Sequence, residues 1–515
     1  MAVFAVQNAT RITLIVILVS LPVLQLDTPG VMSGSGVALA AESTNPTLTY
    51  TVQSGDTLLK ICIRHRHLTN HYSLQDLLTA IRRSNGLESN FLRIGQVLQI
   101  PIQEETDFKR VSGRVIDGAE MRGIYLAGPA CGVSSVLTRV DRFIEAGGNA
   151  VVFDAKDIDG GVSYFSRHPL ASWGAGRSSP VISSLEDMMD RFDRRGLYVV
   201  ARIALFLDGE LGRQRPELAL QDSTGAVWAE RGCVWVDPAR DEVVQYNLAL
   251  AGELARAGVD EIQFDYIRFP TNGWTGDWQG DTQSTAARRR DVISGFLTAA
   301  RDTLDDYGVK ISADLFGIMA WGQMDDLALT GQHVPTIASL VDVICPMIYP
   351  SHFGPGFEGR KRPGDDPEYF IGEGTRRFRD MVAGQAEIRP WLQAFPYRVT
   401  RYDGDYIVTQ VKAARAAGGK GWSLWNPACR YDVALDVLPG LCADAVVTQV
   451  TVKPAVKPAV KPAIHPAIHP TAKSTASGAR ASSRSRAGLG NIVRNGSQEP
   501  SREPGISDSP QNKAD

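Results

Sequence analysis

A chain of 515 residues exceeds one compact domain, so it is expected to divide into several units joined by linkers. Its 54 Lys and Arg balance 57 Asp and Glu to a net charge of -3, which leaves no basic surplus for a nucleic-acid role. Its 6 cysteines lack the CxxC or Cys/His spacing of a zinc site.

The N-terminus places Arg11 before an apolar run, Ile12 to Leu26, and then small residues ending Ala38-Leu39-Ala40-Ala41. That order reads as a secretory signal peptide over residues 1–40. An uncleaved membrane anchor is the alternative, but Pro22 and Gln25 interrupt the run and it falls short of the ~20 apolar residues a span needs. No later segment is a candidate span. Export makes Cys62, Cys131, Cys233, Cys345, Cys429 and Cys442 candidates for disulfides. Cys429 and Cys442, close in sequence around a turn-rich end, are the expected pair, and Cys345 in an apolar strand is expected as a buried thiol.

Tyr50 to Leu58 reads as an alternating strand stopped at Gly55, with Asp56 or Thr57 as a helix N-cap. Apolar positions 58, 61 and 63 fit one short helix. Leu74, Leu77, Leu78 and Ile81 fit a second, ending at Asn85-Gly86, and Ile94 to Pro101 supplies a closing strand. This βααβ unit, over residues 48–102, resembles a LysM module in its Tyr50–Leu58 opening, its Asn85-Gly86-Leu87 turn and its Gly95-Gln96-x-Leu98-x-Ile100-Pro101 exit. The Arg64–Tyr72 spacer is longer than the usual module has, and Leu59 sits where Trp is common. The resemblance implies binding of N-acetylglucosamine-containing glycans such as peptidoglycan or chitin; an inert spacer module is the rival.

Residues 120–445 alternate strand-like with helix-like runs. Strands are expected at 123–128, 150–158, 197–206, 259–270, 309–320, 341–350, 388–396 and 421–427. Amphipathic helices are expected at 134–146, 184–195, 241–257, 287–307, 373–383 and 405–417, several of them stopped by glycine. Eight βα units predict an α/β fold, the (β/α)8 TIM barrel. A doubly wound open sheet would alternate too, but the first turn, Ala127-Gly128-Pro129-Ala130, lacks the phosphate-binding glycine fingerprint. From residue 450 to 515 the composition changes to Lys-Pro-Ala and His-Pro-Ala repeats followed by a Ser/Ala/Arg-rich segment, expected as a Pro-rich linker and a disordered basic tail.

Polar residues gather late in the barrel strands, the end where barrel enzymes carry their chemistry. An Asp inside an apolar strand has no structural excuse, because burying an unpaired charge costs several kcal/mol. Asp265 and Asp314, late in adjacent strands, fit the two-carboxylate pattern of glycosidic cleavage: one ionised to attack or to activate water, one protonated to assist the leaving oxygen. Asp154 is the third catalytic candidate. Strand alternation puts Lys156 on the face of Asp154, and Gln263 on that of Asp265. Lys156 and Arg202 are expected to tune charge or hold hydroxyls, with Arg268, Gln393 and Asn426 as further polar contacts. Trp274, Trp321, Tyr349 and Trp425 are expected to stack on sugar rings. The competing account makes these charges ion pairs that tie the barrel together.

The barrel also resembles a secreted family named "putative glycosyl hydrolase domain". The segments that carry this are Arg122-Gly-Ile-Tyr125, Val152-Phe-Asp-Ala-Lys-Asp157, Phe264-Asp-Tyr-Ile-Arg-Phe-Pro270, Ser312-Ala-Asp-Leu-Phe-Gly317 and Met347-Ile-Tyr-Pro350. The family implies the barrel and a hydrolytic role without fixing a substrate. More distantly, an Asp ending strand 4 looks like the nucleophile of α-amylase-type and α-galactosidase-type barrels; Asp314 rather than Glu after strand 5 departs from the amylase pattern. The expectation is an exported, periplasmic or wall-associated glycoside hydrolase tethered by LysM. Polysaccharide or peptidoglycan glycan would be its partner, with no metal or organic cofactor required. A non-catalytic wall-binding protein with a lectin-like barrel is the rival; acyl transfer is weakened by the lack of a G-x-S-x-G.

Overall fold

The computed structural model describes residues 46–69, 71, 73–102, 114–115, 120–174, 179–230, 232–271, 286–322, 330–443 and 451–452. The expected signal peptide, the segment carrying Trp274 and the basic tail lie outside them.

The first module pairs β1 (Thr47–Thr51) antiparallel with β2 (Val97–Pro101). Between them run α1 (Leu58–His65) and α2 (Leu74–Ser84), whose N-caps Thr57 and Ser73 accept from Lys60 N and Asp76 N. Leu58, Ile61, Leu77, Leu78, Ile81, Leu98 and Ile100 form its core. Asn85 ends α2 and ties it to β2: its Oδ1 accepts from Gln99 N at 2.7 Å and its Nδ2 donates to Gln99 O at 2.8 Å.

The long spacer after α1 proves to be a docking element. Arg66 within it is buried and crosses to the barrel, donating from Nε to Ser183 Oγ (3.1 Å), from Nη1 to Ser179 Oγ (3.2 Å) and from Nη2 to Val181 O (2.6 Å). Removing it leaves these acceptors facing a desolvated gap, at about 1–3 kcal/mol. Arg66→Ala is therefore expected to speed amide exchange of residues 179–184 while both module cores keep their protection.

The second module is a closed barrel of eight parallel strands. In chain order they are β3 (Met121–Leu126), β4 (Ala150–Lys156), β5 (Tyr198–Ala204), β6 (Glu261–Asp265), β7 (Lys310–Phe316), β8 (Val343–Met347), β9 (Trp391–Gln393) and β10 (Gly421–Trp425). Each pairs with the next, and β10 returns to β3. The intervening helices are α3 (Ser135–Glu145), α4 (Leu185–Asp193), α5 (Asp241–Arg256), α6 (Ala286–Leu304), α7 (Val334–Ala338), α8 (Pro367–Val382) and α9 (Gly404–Ala416), with α10 (Asp432–Cys442) last.

β4 and β5 are buried along their whole length, as expected when parallel strands are covered on both faces. Closure depends on small residues at the seam. A Cβ on Gly421 would stand 2.6 Å from Met121 O, and one on Gly123 2.8 Å from Ser423 Oγ. The N-terminal end is plugged by Glu261, which accepts from Arg389 Nη1 (2.8 Å) and from the Tyr198 hydroxyl (2.9 Å). The Arg389 charge is shared there between Glu261 and Glu387.

All six cysteines are free thiols, so the expected Cys429–Cys442 bridge does not form. Helix α10 separates the two, and its 11 residues span roughly 16 Å. Cys429 Sγ accepts from Ala127 N at 3.2 Å, whereas Cys442 packs against Gly147. Cys345 is a buried thiol, as the apolar strand around it implied.

Candidate active site

The C-terminal ends of β5 to β10 open into a cavity of about 990 Å³. Its wall includes Arg202, Asp265, Tyr266, Arg268, Asp314, Phe316, Tyr349, Trp391 and Trp425.

Arg202 is the electrostatic hub. It projects from β5 and donates from Nε (3.0 Å) and Nη2 (2.6 Å) to Asp265 Oδ2, while Nη1 bonds Asp154 Oδ1. Asp314 Oδ2 stands 3.9 Å from Nε. One guanidinium thus faces three buried carboxyl groups, and a single positive charge cannot neutralise all of them.

The three carboxyls are not equivalent. Asp154 is wholly enclosed beneath the cavity, its Oδ2 held by the Tyr125 hydroxyl; burial pushes it up to about 7 against the pull of Arg202. Asp265 ends β6 and is paired to Arg202 through Oδ2, while its Oδ1 accepts from Tyr266 N at 2.6 Å. Tyr266 makes that bond at φ 50°, a left-handed conformation costing about 1–2 kcal/mol in a non-glycine residue. Asp314 Oδ1 accepts from Trp391 Nε1 at 2.8 Å, and its Oδ2 has no hydrogen-bond partner among the described residues. Burial, reinforced by the Asp265 charge, raises Asp314 well above the ordinary carboxylate range. A carboxyl whose burial favours the protonated form and an ion-paired carboxyl therefore sit side by side on adjacent strands.

Aromatic rings face these acids. Tyr349 stacks on Trp425 with centroids 5.4 Å apart, and Phe395 meets Trp425 edge-on at 5.4 Å. His352, Tyr397 and Arg398 continue this wall, and Glu230 enters from the loop after β5. None of these four was anticipated, because they lie in loops beyond the strand ends, where alternation assigns no face.

Several expected contacts lie elsewhere. Lys156 does not reach the cavity: a bulge between Asp154 and Lys156 breaks the strand alternation. Its ammonium is buried against Asp208 Oδ2 (2.7 Å) and Asn247 Oδ1 (2.9 Å), over the Tyr246 ring. Lys156→Met is expected to cost about 3–5 kcal/mol in chemical denaturation by stranding Asp208, without weakening glycan binding.

Trp321 ends a short 3-10 turn and is core, packed among Phe353, Phe357 and Phe370. Gln393 braces loops instead, accepting from Ser351 N and donating to Phe395 O and Tyr397 O. Asn426 caps a turn between Ala394 O and Ala428 N. Gln263 is enclosed one layer below Asp265, its Oε1 without a partner among the described residues. Trp274 lies outside the described residues.

A parallel eight-stranded barrel with paired carboxyls at its C-terminal mouth defines the class: a barrel of glycosidase type. The chain belongs to the family "Putative glycosyl hydrolase domain", matched over residues 123–431, and residues 50–101 match the LysM domain. A hypothetical protein from Ruminiclostridium thermocellum is 31% identical, covering 37% of this chain and 96% of its own, with a TM-score of 0.32. The PgaB (BpsB) glycoside hydrolase domain from Bordetella bronchiseptica is 15% identical over 62% of this chain and 98% of its own, with a TM-score of 0.48. An α-galactosidase from Thermus thermophilus is 14% identical over 68% of each chain, with a TM-score of 0.41. The comparison with curated proteins returned no match. Among the described residues no helix is long and apolar enough to cross a membrane.

Proposed function

We propose that the protein is an exported glycoside hydrolase that cleaves a cell-wall or extracellular polysaccharide, held on its substrate by the LysM module. The observation that carries this is the unlike pair at the cavity floor, Asp265 clamped by Arg202 beside Asp314, whose Oδ2 has no hydrogen-bond partner among the described residues. Asp265 serves as nucleophile or general base and Asp314 as general acid, donating its proton to the departing glycosidic oxygen. Arg202 fixes Asp265 and, with Asp154, sets the local charge. The Tyr349–Trp425 stack offers a ring face to a sugar, and exposed Phe91, Ile94 and Val97 give the LysM module apolar surface for a glycan.

One observation favours a second reading. The two-donor grip of Arg202 on Asp265 is also what a purely structural ion pair would look like, leaving a non-catalytic glycan-binding barrel. Incubation with peptidoglycan, chitin oligomers and α-glucans separates the two. Released reducing ends are expected; co-sedimentation without products would establish the binder instead.

A further inference from the structure

Three buried arginines line or underlie the barrel interior, and among the described residues only Arg268 forms no salt bridge. Arg202 meets Asp154 and Asp265, and Arg389 meets Glu261 and Glu387. Arg268, three residues past Asp265, is 6% exposed and lines the cavity, yet among the described residues it forms no salt bridge. Its guanidinium lies 4.4 Å from the Phe316 ring centroid, 4.7 Å from that of Trp235 and 5.3 Å from that of Tyr266. Among the described residues its one hydrogen bond runs from Nη1 to Phe269 O at 3.1 Å, out of five N–H donors.

The rings hold the guanidinium in place and attract its charge, but they accept few of its protons. A desolvated cation with open donors is costly alone and becomes favourable when an anion completes it. The planar fork matches a carboxylate through two parallel bonds. Glu230 is close enough to feel this charge, but its Oε2 accepts from Trp235 Nε1 at 3.1 Å and it stays outside ion-pair distance of Arg268.

We infer that Arg268 is an anion-recognition residue of the cavity, and that the glycan it accepts carries a carboxylate on a sugar beside the cleaved bond. The inference rests on the cavity being the glycan site proposed above. Two sources share that chemistry: the C6 carboxylate of a uronic acid and the lactyl carboxylate of N-acetylmuramic acid.

The test uses the full chain and sugars that contain no bond to cleave. Saturation-transfer NMR would compare D-glucuronate with D-glucose, and N-acetylmuramate with N-acetylglucosamine. At least one acid is expected to bind at least about tenfold tighter than its neutral partner, with the advantage shrinking as salt rises. Whichever acid binds identifies the source. Arg268→Gln should abolish the advantage and Arg268→Lys should retain part of it; the wild-type comparison stands even if Arg268→Gln fails to fold.

Equal affinity for acid and neutral sugars, no binding of any of the four, or an acid preference that survives in folded Arg268→Gln would each overturn the inference. Reducing-end release is read separately. Acid preference without hydrolysis leaves Arg268 its role and removes the hydrolase, whereas hydrolysis with no acid preference does the reverse.

Discussion

Asp265→Asn is expected to lower turnover by at least about three orders of magnitude while leaving glycan co-sedimentation unchanged. Asparagine keeps the shape and can still accept through its oxygen from Arg202 or Tyr266 N, but it cannot attack a sugar carbon or take a proton from water. Arg202 already neutralises part of the Asp265 charge, so the barrel should tolerate the loss of that charge better than it tolerates the loss of Arg202 itself. Kinetics on any glycan that the wild-type protein hydrolyses, with melting as a control, check this. Turnover within about tenfold of wild type would remove Asp265 from the chemistry. A fall in turnover matched by an equal fall in co-sedimentation would make Asp265 a binding residue only.

The barrel was legible because its parallel strands are covered on both faces and so appear as apolar runs. β10 begins at Gly421, as the run of residues 421–427 implied, and β5 at Tyr198 lies within one residue of its expected start. The strand expected at 259–270 ends earlier, at Asp265. The left-handed turn at Tyr266 stops pairing there, and a positive φ at tyrosine leaves no compositional trace. Site residues on regular strands were legible for the same reason: Arg202, Asp265 and Asp314 share one cavity because alternation holds along β5, β6 and β7. It fails in β4, where the bulge sends Lys156 outward to Asp208. Trp321 misled because it follows the end of a strand, where exposure is expected, yet the turn that carries it packs inward on α8. The pairing of Lys156 with Asp208 and Asn247 joins residues 52 and 91 positions apart, a relation that only folding creates.

Asp314→Asn carries the second large effect, and part of it can be read without knowing the substrate. A protonated Asp314 supplies its proton to the leaving group, so the variant should lose about 100- to 10,000-fold on natural glycans. It should lose far less on aryl glycosides, whose phenolate leaves unaided. In the wild-type protein kcat should fall as pH rises through the elevated folded value of Asp314, because the ionised form has no proton to give. Stability follows the same group. Unfolded, Asp314 releases its proton near pH ~4; folded, it holds the proton to a much higher pH, so between these limits the native state binds more protons. Its contribution is therefore full below pH ~4 and is lost as pH rises towards the folded value. Asp154, raised to about 7, adds to the same decline up to neutrality. Urea titrations from pH 5 to 9 should show wild-type stability dropping and Asp314→Asn dropping less, since asparagine has no proton to lose. Parallel pH profiles for the two proteins would mean that Asp314 is already ionised across this range, and the assignment of general acid would fall with it.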